Sequence, residues 1–181
     1  MSQIVIAPSP VLRKPSLVVK TLDKRVLSIL ANMEKILREA KDPQGVGLAA
    51  PQIGESLRIF MIRPEKNGKV LTFINPEITN FSQRLTKPTG KNGIYEGCLS
   101  IPHHYAPIIR SMSVTVKYQT PVLPTMNHEL LTKTGVFSGF PAHVIQHEMD
   151  HLNGILFVDR MLEQNAKLFK IVGEEWEEVG I

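Results

Sequence analysis

Hydrophobic positions change their period twice along the chain, from helical to strand-like and back. Between Asp23 and Ala40, the residues Val26, Leu27, Leu30, Met33, Leu37 and Ala40 recur at three- and four-residue spacing, leaving Lys24, Arg25, Lys35 and Arg38 for solvent. This predicts an amphipathic helix over about 24–40, capped by Asp23, with its stripe in the core. The middle of the chain is strand-like. Segments 58–63 and 70–75 flank an Asn67-Gly68 turn and predict a β-hairpin, and 78–81 predicts a further short strand. Val114, Val116 and Tyr118 alternate within 113–120, and a last strand is expected over 130–137. A second helix is predicted over 140–152, with Ser138 at its N-cap and Asn153-Gly154 as its stop. Asp159 is expected to cap a final helix running through Leu162, Ala166, Phe169 and Val172.

Strands in the middle with helices near both ends predict an α+β fold, with antiparallel β-sheets packed around a central helix over 140–152. The chain shows no repeat or linker, and its 181 residues suit one catalytic domain over 1–181. Pro8, Pro10 and Pro15 are expected to keep the first segment extended, with Val11 and Leu12 tying it to the body. Residues 41–44 end the first helix, and 83–92, with Pro88 and Gly90, reads as a polar loop.

Composition narrows the class without naming an activity. Hydrophobic content of 43% and charged content of 21% are ordinary for a globular protein, and a net charge of +4 permits weak attraction to a ribosomal surface without establishing it. Nothing indicates specific nucleic-acid binding. The single cysteine, Cys98, excludes an intrachain disulfide; the first residues lack a signal-peptide pattern, and no apolar run is long enough to cross a bilayer. A cytoplasmic protein is expected.

The chemistry lies in the second helix. His147 and His151 are four residues apart, so both imidazoles sit on one helical face and can reach one metal ion. Glu148 places a carboxylate beside the ion rather than on it, where it could move protons to and from a water. A catalytic site of this kind takes a third protein ligand. Cys98, His103, His104, His128, His143 and a downstream carboxylate are the candidates, and a lone cysteine is more often a small buried hydrophobe than a ligand.

Three segments carry a specific resemblance. Gly45-Val46-Gly47-Leu48-Ala49-Ala50-Pro51-Gln52, Glu96-Gly97-Cys98-Leu99-Ser100 and Gln146-His147-Glu148-Met149-Asp150-His151 match, in order, the three signature motifs of the peptide deformylases. Agreement continues through Leu152-Asn153-Gly154 and 156–160, so the resemblance spans roughly residues 8 to 162. It implies hydrolytic removal of the formyl group from N-formylmethionyl peptides, with release of formate. Cys98, His147 and His151 are then the metal ligands, and Glu148 the proton carrier. Gln52 and the backbone N–H of Leu99 are the donors facing the developing oxyanion. Gly45, Val46, Gly47, Ile94, Glu96, Phe140, His143 and Val144 are the residues expected to meet substrate. One sulfur and two imidazoles suit Zn2+, Fe2+, Co2+ or Ni2+, and the resemblance implies Fe2+ in the cell. Glu96 and Arg110 are expected to pair beneath the groove, and Asp150 to support the site.

The chain also departs from the family pattern. His143 stands one turn before His147, where relatives carry an apolar residue or arginine, and is expected to form pocket wall. His103 and His104 stand at a groove edge where relatives have glycine or a basic residue. Glu174, Glu175, Glu177 and Glu178 follow Lys167 and Lys170, an acidic tail expected to repel RNA phosphates, so ribosome contact is expected to be weak or transient. The competing readings are a zinc-dependent peptidase, with Glu174 or Glu175 as third ligand, and an inactive peptide-binding relative.

Overall fold

The computed structural model describes residues 4–40, 45–65, 68–87, 94–122, 129–173 and 175–180. The expectations for Asn67, residues 41–44, Pro88, Gly90, His128 and Glu174 lie outside them.

Three helices and two antiparallel sheets make up the described fold: helices α1 (Lys24–Glu39), α2 (Phe140–Leu152) and α3 (Phe157–Glu163), and strands β1 (Gly47–Ala49), β2 (Ile59–Ile62), β3 (Leu71–Phe81), β4 (Glu96–Cys98), β5 (Ile101–Ala106), β6 (Ser113–Pro121), β7 (Leu130–Ser138), β8 (Leu168–Val172) and β9 (Glu175–Val179). One sheet runs β1-β2-β3-β6-β7 and the other β4-β5-β8-β9. The predicted α+β class holds.

Strand β2 explains why the first sheet is buried on both sides. Ile59 and Met61 pack with Val26, Leu30, Met33 and Leu37 of α1, whereas Phe60 and Ile62 pack with Val144 and Ile145 of α2. Alternate side chains of one strand thus feed two cores, which accounts for its unbroken apolar run. Asp23 caps α1 by accepting from the Val26 amide at 2.8 Å. Every residue of α2 from Ala142 to Leu152 is buried except Met149, so α2 is the central helix that was expected. A third cluster joins Cys98 and Ala106 of the second sheet to Phe157 and Met161 of α3.

Several local expectations are corrected. Segments 70–75 and 78–81 form one strand, because Pro76 is absorbed by register shifts on either side of Glu77–Ile78, with Asn75 at φ 49°. Residues 10–13 form a short 3-10 turn rather than extended chain, although Leu12 is buried as expected. Gly139, not Ser138, is the N-cap of α2, since Ser138 is still paired in β7. The final helix stops at Glu163, and Leu168–Val172 and Glu175–Val179 pair as the antiparallel strands β8 and β9. Leu156 is its N-cap; Asp159 sits inside the first turn and accepts from the Leu156 amide at 2.7 Å.

Candidate active site

Strand β4 and helix α2 meet at one buried point. Cys98 Sγ lies 3.2 Å from His151 Nε2, which lies 3.2 Å from His147 Nε2, and the three ligand atoms fall within 4.8 Å of one another. Two nitrogens bound tetrahedrally at about 2.05 Å from one ion stand about 3.3 Å apart, so the spacing fits a shared divalent metal. His103, His104 and His143 are outside this group. His103 and His104 lie on β5, the first exposed and the second with Nδ1 2.8 Å from the Pro102 carbonyl. Glu175 is exposed on β9.

A second layer of polar groups sets the ligand chemistry. Glu96 Oε1 lies 2.7 Å from His147 Nδ1, and Arg110 donates to both Glu96 oxygens at 3.0 and 2.7 Å. The expected Glu96–Arg110 pair is therefore present and buried. Burial would push the Glu96 carboxyl up, but Arg110, His147 and His143 more than offset this and hold it well below the usual carboxylate range. A carboxylate only accepts, so His147 must donate through Nδ1, and in the neutral imidazole Nε2 would then be the nitrogen able to hold a metal. Burial opposes a charge on His147, yet Glu96 overrides it and raises the imidazole well above its ordinary value; burial and His147 together lower His151. Arg110 also donates to Asp150 at 2.6 Å, and Arg160 donates to both Asp150 oxygens at 2.7 and 3.1 Å, so Asp150 ties α2 to α3.

Glu148 stands apart from the ligand cluster. It is 2% exposed, its Oε2 has no hydrogen-bond partner among the described residues, and burial pushes its carboxyl up to about 7. Gly47 leaves room for this carboxyl, because a Cβ there would overlap Glu148 Oε1 and press on Val144 Cγ1, so one of them would have to shift. Gln52 is fixed by its own oxygen, which accepts from the Ala49 amide at 2.8 Å, and its amide nitrogen lies 3.4 Å from Cys98 Sγ. Leu99 follows Cys98 in the turn before β5.

These groups line a cavity of about 290 Å³ together with Val46, Gly47, Ile94, Phe140, His143, Val144 and Leu99. Of the predicted site residues, Gly45 and His151 do not line it. Gly45 instead packs against the end of α1, where a Cβ would overlap the Leu37 carbonyl. His143 Nε2 is 2.7 Å from Glu96 Oε2, a close contact rather than an aligned hydrogen bond, and its Nδ1 has no partner among the described residues. Tyr95, Gly97 and Tyr105 also line the cavity and were not anticipated; the pairing of Gly97 with Tyr105 follows from β4–β5 register, which no local pattern announces. A wider cleft of about 900 Å³ lies behind α2, bordered by Arg58, Glu77, Asp150 and Arg160. It holds none of the Cys98–His147–His151 cluster, whereas Cys98, His147 and Glu148 line the smaller cavity.

A buried carboxyl beside, but not within, a Cys-His-His cluster is suited to moving protons, and the cluster could hold an ion that would supply Lewis acidity, the division of labour of a metal-dependent hydrolase. Comparisons with known proteins make this specific. The polypeptide deformylase family model matches residues 1–167. A peptide deformylase of Pseudothermotoga lettingae is 37% identical over 177 residues, covering 95% of this chain and 92% of its own, and one of Halothermothrix orenii is 39% identical over 153 residues, covering 84% and 88%. The crystal structure of Thermotoga maritima peptide deformylase superposes with a TM-score of 0.72 at 34% identity, covering 88% of this chain and 97% of that one. The chain belongs to the peptide deformylase family, the hydrolases that remove the N-formyl group from nascent chains.

Proposed function

We propose that residues 1–181 act as one catalytic domain in which Cys98, His147 and His151 hold the metal while Glu148, Gln52 and the Leu99 amide carry the reaction. The observation that carries this reading is the buried Cys98–His147–His151 cluster with the unpartnered Glu148 carboxyl beside it. When bound, a divalent ion supplies Lewis acidity and lowers the pKa of a water toward about 7. Glu148 takes up the proton released at that water and delivers it to the departing amine; a carboxyl near pH 7 is matched to both halves of that task. Gln52 Nε2 and the Leu99 N–H supply donors to the oxygen on which charge develops, each worth roughly 2.7–4 kcal/mol in the transition state.

The methionine side chain enters the cavity walled by Val46, Ile94, Phe140, His143 and Val144, with Gly47 at one side and Glu96 behind. A volume of about 290 Å³ suits one residue and its formyl group rather than a long segment. The in-cell metal is Fe2+, with Zn2+, Ni2+ or Co2+ able to occupy the same donor set. Among the described residues no helix is long and apolar enough to cross a membrane. The cytoplasm, where formylated nascent chains are made, is the place of action that goes with the proposed substrate. Ribosome contact is weak or transient. Glu178 pairs with Lys167 at 2.7 Å and Glu177 stands opposite Lys170, so the tail is closer to charge balance than its glutamates suggest.

Protein prepared without oxygen and loaded with iron or nickel is expected to release formate from formyl-Met-Ala. Formate release that survives removal of the metal, or none with either metal loaded, would overturn this assignment. A peptidase reading requires a downstream ligand, and the exposed position of Glu175 gives it no support.

A further inference from the structure

Helix α2 separates two hollows. His143, Val144, His147 and Glu148 face the small cavity, whereas Gln146, Met149, Asp150 and Asn153 share the other flank and border the cleft of about 900 Å³. The rim of that cleft is apolar. Val18, Phe81, Leu85 and Ile109 come from distant parts of the chain, and each is between 43% and 59% exposed. Their backbones are nonetheless held. On either side of Val18, the Leu17 amide donates to the Ser56 carbonyl at 2.9 Å and the Val19 amide to Asn75 Oδ1 at 2.8 Å. Phe81 pairs with Val114 in the β3–β6 register, and Leu85 bridges Ser111. Gln164 closes on the Ile109 backbone with both halves of its amide, at 2.8 and 3.1 Å. The cleft is thus built in advance, and exposed apolar side chains gathered in one place mark a binding surface.

The charges of its floor are unevenly matched. Asp150 is taken by Arg110 and Arg160, Glu163 by Arg160, and Glu77 stands opposite Lys117 across β3 and β6. Arg58 differs. It donates to neutral oxygens, the Asn153 side chain at 3.1 Å and the Pro76 carbonyl at 3.2 Å, and makes no ion pair among the described residues. Burial lowers its guanidinium from the usual arginine value, with no carboxylate to raise it back. A partly buried cation of this kind gains from an anion brought in from outside, because charge-assisted hydrogen bonds are the strong ones. We propose that the cleft is a second ligand site, which binds a small amphipathic carboxylate with its head on Arg58 and its apolar body against Val18, Phe81, Leu85 and Ile109. A volume of about 900 Å³ is within the range of small-molecule sites.

Decanoate is the probe, titrated calorimetrically into the nickel-loaded protein. Saturable binding is expected, with decyltrimethylammonium, the same chain on a cation, weaker by roughly tenfold or more. Arg58→Gln should weaken decanoate by about the same factor through the lost charge, and Leu85→Ser should do so through the lost apolar contact. Leu85 is exposed, so its replacement leaves the core untouched. Both variants should release formate from formyl-Met-Ala at the wild-type rate. A carboxylate can also reach a metal, so inhibition is followed in parallel, and decanoate held in the cleft should not compete with formyl-Met-Ala. The proposal is overturned by no saturable binding, by equal affinity for the cationic analogue, or by binding that survives both substitutions. Competitive inhibition unchanged in Arg58→Gln would place decanoate in the small cavity and overturn it equally.

Discussion

At Gly47 a methyl group would overlap Glu148 Oε1, so the carboxyl keeps its place only because that position has no side chain. Gly47→Ala is therefore expected to retain the metal, measured by elemental analysis, and to lower kcat by roughly 10²-fold or more, approaching the loss in Glu148→Ala. In contrast, Cys98→Ala should lose the metal itself. The pair of results separates proton transfer from ligation, because Glu148→Ala keeps all three ligands. If Glu148→Ala emptied the site, Glu148 would be a ligand and the proposed division of roles would be wrong. The two histidines and Glu148 were legible from helical period alone. Cys98 was not, since it meets His151 across 53 residues of sequence, and only the resemblance to a known family singled it out. The His143–Glu96–His147 arrangement depends on how α2 lies over β4, which no local pattern reports.

At the level of elements, Arg110 joins the second sheet to α2 by reaching both Glu96 and Asp150. It is 7% exposed, and burial alone would make its charge costly; the two carboxylates offset this. Arg110→Met would strand two buried carboxylates, although Arg160 remains beside Asp150. A loss of about 3–5 kcal/mol in urea unfolding is expected. Metal affinity should also fall by roughly 10- to 100-fold, because Glu96 would no longer be held to orient His147. A variant with unchanged stability would show that the pair is incidental. The same scale explains what the hydrophobic pattern missed. Leu162, Ala166, Phe169 and Val172 fit a helical spacing, but Val172 stands opposite Glu175 in the β8–β9 pair, with Gly173 at φ 65°. The turn glycine was the better signal, because a left-handed position suits hairpins and interrupts helices. Pro76 misled in the opposite direction, dividing on paper a strand that a bulge keeps continuous.

Across the whole molecule, the proposed metal position joins parts of the fold that the chain connects only distantly. Cys98 belongs to the second sheet, whereas His147 and His151 belong to a helix whose apolar side packs on the first. An ion held by all three would therefore staple the two sheets through α2, and its binding free energy would add to folding stability. At a free metal concentration 1,000-fold above Kd, the gain is about 4.1 kcal/mol. For a domain of this length that corresponds to roughly 8–16 °C in Tm. Chelation is expected to lower the thermal midpoint by this order and added Ni2+ or Zn2+ to restore it, followed by circular dichroism. In Cys98→Ala the metal-dependent increment should vanish. In Glu148→Ala it should persist, because that carboxyl contributes no ligand atom to the cluster. A thermal midpoint that ignores the metal in the wild-type chain would mean that the two sheets are fixed by packing alone.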